Sequence, residues 1–341
     1  MFLSSIHLRQ YRSYTDAVFE FTPSVTMVTG ANGAGKTNLL EAVYVLLTGS
    51  SFRDGDSDLL QHGATWWTLD GVVDGIEREV RYDGAKSYRI GETWYKRLPK
   101  QFTMPVVLFE PDDLQLIHGS PRARRKYLDE WIMQTDRQYK SLIARYERIV
   151  AQRNKLLKSP RYDEDQLFIW DMQLAETATI IMQARRQVID IWNNHLAEYY
   201  SAIAQTDTDI TIQYHSKTPA ENYYQHIIQQ LHYYHERDRL IGSTSVGPHR
   251  DDYEFFIGGS SFITNASRGE VRSLLLSLKQ LQRTQLEIIY HTAPLLLMDD
   301  VLSELDESRQ KQLMAINDGQ RILTSTRYRG GRATKVVRIE S

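Results

Sequence analysis

Gly30-Ala31-Asn32-Gly33-Ala34-Gly35-Lys36-Thr37 fills every fixed position of the pattern G-x-x-x-x-G-K-[ST], and the apolar run 25–29 leads straight into it. Such a loop binds the phosphates of a nucleoside triphosphate. Its glycines let the backbone bend tightly and turn N–H groups toward an anion. The N–H groups of Ala31, Asn32 and Ala34 join that cradle. Lys36 reaches the outer phosphates, and Thr37 offers its hydroxyl to Mg²⁺. Residues 38–47 (NLLEAVYVLL) read as a helix whose positive end faces the phosphate. The sequence therefore predicts ATP and Mg²⁺ as ligands.

The rest of the chain narrows the class. At 341 residues it has room for two domains, or for one domain carrying an insertion. With 41% hydrophobic residues it can build a core, and no apolar run approaches the ~18 residues of a membrane span. The first residues are too polar for a signal peptide. Cysteine is absent, which excludes disulfides and cysteine–zinc sites and accords with a cytoplasmic protein. A net charge of −2 means that any nucleic-acid contact must come from local patches.

Period-two patterning predicts strands at 6–8, 17–21 and 25–29. A meander at 67–73, 77–82 and 86–90 turns at Asp74-Gly75 and Asp83-Gly84, and a buried strand follows at 104–109. From Ser120-Pro121, a capping serine before a first-turn proline, the period becomes helical. Two long helices that break at Ser159-Pro160 should lie antiparallel, each about 50–60 Å long at 1.5 Å per residue. Further strands are expected at 210–214, 252–257, 261–264 and 321–323, and helices at 220–234, 269–290 and 307–316. The predicted fold is an α/β P-loop ATPase head with an inserted helical-hairpin arm: 1–118 head, 119–240 arm, 241–341 head.

Leu295-Leu296-Leu297-Met298-Asp299-Asp300 is a buried strand that delivers two acids at its C-terminal end, where α/β sheets place ligands. Asp299 is assigned to the Mg²⁺ shell, as the second phosphate-site acid of P-loop ATPases. Asp300 is assigned to polarising the attacking water. The wide gap between residues 37 and 299 is that of a split ATPase head. Before the preceding helix, Ser267-Arg268-Gly269-Glu270 fits the S-x-G-[EQ] signature of ABC-type ATPases, in which Ser267 and Gly269 of one copy grip the γ-phosphate held by another. A plain capped helix start is the alternative. Ser303-Glu304-Leu305-Asp306 resembles the D-loop of that class.

Within it the chain resembles the RecF family of bacterial recombination mediators. The likeness rests on Leu8-Arg9-Gln10-Tyr11-Arg12-Ser13-Tyr14, the loop 30–37 with its helix, Ser51-Phe52-Arg53, Phe109-Glu110-Pro111-Asp112-Asp113-Leu114, Gly119-Ser120-Pro121 with Arg124-Arg125-Lys126, Gly247-Pro248-His249-Arg250-Asp251-Asp252, and 297–306. Two departures stand out: Arg327 follows Thr324-Ser325-Thr326 where an acid is usual, and Glu270 replaces the commoner glutamine. The resemblance implies ATP binding, ATP-dependent homodimerisation, slow hydrolysis, binding to duplex and gapped DNA, and work with RecO and RecR in loading RecA during repair, replication and the SOS response. A transporter subunit, a zinc-hook or SMC-type head and a non-hydrolysing clamp or defence sensor are the rivals.

Between residues 120 and 158 eleven basic residues face four acids. Arg122, Arg124, Arg125 and Lys126 lead that run and are the candidate DNA contacts that the resemblance favours; a solvated helix face, or packing of the Arg124-Arg125-Lys126 cluster onto the head, is the alternative. Basic residues 327, 329, 332 and 335 form a weaker candidate. His249 is expected to hold a turn rather than to catalyse. The tyrosines at 199, 200, 223, 224, 233 and 234 are expected to pack helices rather than to stack bases.

Overall fold

The computed structural model describes residues 1–136, 138–159, 164–301, 310, 319–326 and 335–339. The chain divides into two compact units, residues 1–113 with 282–341, and residues 114–281.

The first unit opens with β1 (Leu3–Tyr11), β2 (Tyr14–Glu20), β3 (Val25–Thr29), α1 (Lys36–Thr48), β4 (Trp67–Val73), β5 (Ile76–Tyr82), β6 (Lys86–Ile90), β7 (Thr93–Tyr95) and β8 (Val106–Phe109). Six of these strands form an antiparallel sheet in the order β2-β1-β4-β5-β6-β7. The expected turns are present: Asp74 and Gly75 both take positive φ, the geometry of a primed hairpin. Helix α1 touches strands of two different sheets, β1, β4 and β5 on one side and β8 on the other. That is why it is apolar around its circumference: Leu39, Leu40, Ala42, Val43, Val45, Leu46 and Leu47 are all buried.

The second unit contains α2 (Gln115–His118), α3 (Pro121–Thr135), α4 (Tyr139–Leu157), α5 (Glu164–Ala204), β9 (Ile210–His215), α6 (Tyr223–Tyr233), α7 (His235–Ile241), β10 (Asp252–Ile257), β11 (Ser260–Ser261), α8 (Phe262–Asn265) and the start of α9 (Arg268–Tyr290), which runs on into the first unit. Ser120 caps α3 by accepting from the Ala123 N–H, as the sequence predicts. Helices α4 and α5 are antiparallel: Arg145 meets Glu176 while Arg153 meets Asp171, one index rising as the other falls. Helix α5 alone reaches about 60 Å at 1.5 Å per residue. The first long helix is instead two, because Thr135 bonds back to the Trp131 and Ile132 carbonyls and the Asp136 carboxylate accepts the Gln138 N–H. The strand expected at 261–264 is a second correction. It reduces to two residues before a helical turn, in which Phe262 is fully buried and Asn265 donates to the Ser261 carbonyl. The boundary expected at 240 falls inside this unit, since β10 pairs along its whole length with β9.

The first unit closes with β12 (Leu295–Met298), β13 (Arg321–Ser325) and β14 (Lys335–Arg338). They complete a parallel sheet in the order β14-β3-β13-β12-β8. Every residue of β3, β8, β12 and β13 is buried, which explains the unbroken apolar runs of β8 and β12. Buried Gln320 joins the sheets' ends by exchanging hydrogen bonds with both the N–H and the carbonyl of Leu3. Strand β14 has no counterpart in the sequence reading. Apart from residue 310, the helix expected at 307–316 and the D-loop-like 303–306 lie outside the described residues.

Candidate nucleotide-binding site

The phosphate loop joins β3 to α1. Gly33 and Gly35 have φ of 81° and 99°, which only glycine holds without strain. Gly35 is also crowded: a Cβ there would lie 2.7 Å from Ser13 Oγ and 2.8 Å from the Tyr14 hydroxyl. Tyr14 donates to the Gly35 carbonyl at 3.0 Å, and Asn38 donates to Ser13 Oγ at 3.0 Å. The loop is thus braced by the turn between β1 and β2. Burial pushes the Tyr14 hydroxyl well above its usual pKa, so it stays a donor. Lys36 Nζ lies within the loop, donating to the carbonyls of Gly30 at 2.9 Å and Ala31 at 2.8 Å. An ammonium with a third donor left is thereby set at the loop's mouth.

The second acid strand meets the loop as the sequence predicts. Thr37 Oγ1 donates to Asp299 Oδ2 at 2.6 Å across 262 residues of sequence. Strand β13 lies between β3 and β12, and its Thr324 donates to the other oxygen of Asp299 at 2.7 Å. Asp300 follows with φ of 50°, its N–H given to Thr324 Oγ1 at 2.8 Å. A hydroxyl and a carboxylate in contact form a hard oxygen pair that would suit a cation such as Mg²⁺. A cavity of about 350 Å³ opens beside Gly30 and Ala31, lined also by Thr29, Thr326 and Arg338.

Behind the loop, buried Glu41 of α1 binds two arginines, Arg12 at 2.9 Å and Arg53 at 2.7 Å, and accepts from Ser51 at 2.6 Å. Burial alone would raise the Glu41 carboxyl, but these hydrogen bonds outweigh it and hold it below the usual range. Arg12 also donates to the Asp58 carbonyl. The two arginines tie the segments around residues 12 and 53 to α1. The resemblance rests on both segments and on the helix that carries Glu41, but sequence alone assigns Glu41 no role; a lone acid at a buried helix position is the signal.

The remaining site candidates lie in the second unit. Ser267 is exposed at the start of α9, and its hydroxyl and N–H both donate to Glu270 Oε2 at 2.7 Å. Glu270 returns its N–H to Ser267 Oγ at 3.3 Å, a capping box. Gly269 lies in the first turn. The DNA candidates separate. Arg124 is 7% exposed and forms a paired bond with Asp252 at 2.8 and 2.7 Å, and Arg125 donates to the Asp251 carbonyl. Both guanidinium groups thus have partners within this unit. Arg122 and Lys126 are exposed, the latter 3.5 Å from Glu130. His249 holds a turn, as expected: its ring bonds the Tyr146 hydroxyl and the Thr244 carbonyl. Burial, with Arg250, Arg125 and Arg185 nearby, pushes its pKa down to about 4. Of the singled-out tyrosines, 200 and 223 are buried among helices and Tyr233 is 78% exposed. Arg327 lies outside the described residues.

A P-loop, an acid-bearing strand separated from it by one intervening strand, and a helical unit inserted between them define a P-loop ATPase with a split head. The AAA domain family model matches residues 5–320. The head domain of an Smc protein bound to ScpA shares the fold, with a TM-score of 0.50 at 15% identity over 96% of this chain and 90% of that one. Within this class the chain belongs to the RecF family of DNA replication and repair proteins. It is 34% identical to the DNA replication and repair protein RecF of Streptococcus pyogenes serotype M49 (strain NZ131), covering 92% of this chain and 88% of that protein. It matches the solved structure of the recombination mediator RecF with ATP with a TM-score of 0.88 and 29% identity, over 99% of this chain and 95% of that chain.

Proposed function

We propose that this chain is an ATP-driven DNA clasp of recombinational repair. Two copies close on two ATP–Mg²⁺ units, each held by residues 30–37 of one copy and by Ser267 and Gly269 of the other, and slow hydrolysis separates them. The contact between Thr37 and Asp299 carries the reading. A hydroxyl and a carboxylate that would suit a metal meet beside a lysine-bearing phosphate loop, and the RecF–ATP structure that this chain resembles supports ATP as the ligand. When bound, Mg²⁺ would offset charge on the β- and γ-phosphates. Lys36 orients the terminal phosphate, and Asp300 orients and polarises the attacking water. In this reading the protein is a weak, DNA-stimulated ATPase of the cytoplasm that works with RecO- and RecR-like mediators on duplex and gapped DNA.

The DNA face in this proposal is the outer side of α4, together with the exposed Arg122 and Lys126 of α3. Lys140, Arg148, Lys155 and Lys158 are exposed. They make no ion pair among the described residues, and they fall within a sector of about 80° at 100° per residue. Such a stripe answers phosphate charge without reading sequence. Binding of labelled duplex across a salt series tests it. Arg148→Ala with Lys155→Ala is expected to lower the log–log salt slope by about 2, near 0.9 per lost phosphate contact. An unchanged slope and affinity would contradict the assignment.

A further inference from the structure

We propose that Thr324 is a positioning residue that sets both acids of the nucleotide site at once, an inference that rests on the nucleotide reading above. The residue is fully buried and sits at the end of β13. The strand order puts it between the loop strand and the acid strand: Thr324 stands in register with Val28 of β3, and its neighbour Leu323 with Met298 of β12. Its single hydroxyl makes two opposite bonds. It donates to Asp299 Oδ1 at 2.7 Å and accepts the Asp300 N–H at 2.8 Å. The Met298 carbonyl, at 3.5 Å, is too far to compete for the one proton.

Each bond has a consequence. The donated one occupies one Asp299 oxygen and so fixes the carboxylate plane with the other oxygen on Thr37. Without it the carboxylate can rotate away from the position that suits a metal. The accepted one fastens the backbone of Asp300, whose φ of 50° is a conformation that side-chain-bearing residues keep only where neighbours hold them. That conformation decides where the Asp300 side chain points. One hydroxyl therefore couples the metal-side acid to the water-side acid. The residue touches neither substrate nor metal in this role, and its loss would act on metal response and turnover rather than on nucleotide affinity as such.

The test is a titration of N-methylanthraniloyl-ATP in EDTA and then against Mg²⁺, together with steady-state ATP turnover, on the full chain. Thr324→Val keeps shape and loses the hydroxyl. It is expected to bind the nucleotide in EDTA as the wild type does, to need about tenfold more Mg²⁺ for half-saturation, and to lower kcat about 10- to 100-fold with KM little changed. Thr324→Ser, which keeps the hydroxyl, is expected to restore both. Thr324→Ala gives the same comparison should valine pack poorly, with the thermal midpoint of each variant measured alongside. An unchanged Mg²⁺ response and kcat in Thr324→Val would overturn the proposal. So would a Thr324→Ser protein as defective as Thr324→Val, since the methyl would then be what matters. A wild-type protein that binds no nucleotide under either condition would bring down the nucleotide reading itself, and this proposal with it.

Discussion

Replacing Arg124 by alanine separates a structural arginine from a DNA-binding one. The guanidinium makes two bonds of 2.8 and 2.7 Å to the Asp252 carboxylate and a third, of 3.0 Å, to the Gly119 carbonyl. It joins the start of α3 to β10. Its own exposure is 7%, whereas the Asp252 side chain is 27% exposed. Breaking a fully buried pair typically costs about 3–5 kcal/mol, because the partner's charge is left without compensation. Water can reach Asp252, so the cost here should be nearer 2–3 kcal/mol. For a unit of this size that lowers the melting midpoint by roughly 5–10 °C. Arg124→Lys should recover only part of the loss, since an ammonium cannot supply the paired fork. Differential scanning calorimetry gives the midpoint, and duplex binding at a temperature where both proteins are folded gives the affinity. A variant that melts with the wild type but binds DNA more weakly would refute the structural assignment.

Lys36→Arg is expected to keep nucleotide binding, because the charge remains, and to reduce turnover at least about 100-fold, because a guanidinium does not fit between the Gly30 and Ala31 carbonyls; turnover near the wild-type level would contradict this. His249 gives a pH dependence. Its folded pKa of about 4 lies below its ordinary value of 6.5, so the unfolded chain takes up the proton first, and the stability it contributes is present above pH 6.5 and lost as pH falls toward 4. By pH 5 the loss is about 2 kcal/mol. Urea melts of wild type and His249→Gln at pH 7 and pH 5 isolate it from Asp251, whose carboxyl is raised by burial and works in the opposite sense; equal pH slopes in the two proteins would contradict it.

The loop, its strand and helix and the second acid strand were legible in the sequence because each is local: a spacing, an apolar run, a change of period. What depends on distant partners was not. Arg124 reads as surface charge until Asp252, 128 residues on, is seen beside it. Thr324 is one of three similar polar residues, and its role follows from β13 lying between β3 and β12, an order that no local pattern encodes. The break after Thr135 carries neither glycine nor proline, and its cause is the Asp136 side chain. Strand β14 has four residues of alternating exposure and pairs with β3. Ser267 shows that two readings of one motif are compatible, since it caps its helix and remains at the surface.

The central claim is that the nucleotide is shared between two copies. Light scattering on a sizing column, with and without ATP and Mg²⁺, measures it in wild type and in Ser267→Arg. The account predicts a dimer only for the wild type with ATP, and a Ser267→Arg protein that binds ATP but stays monomeric. A Ser267→Arg protein that dimerises with ATP as the wild type does would contradict it.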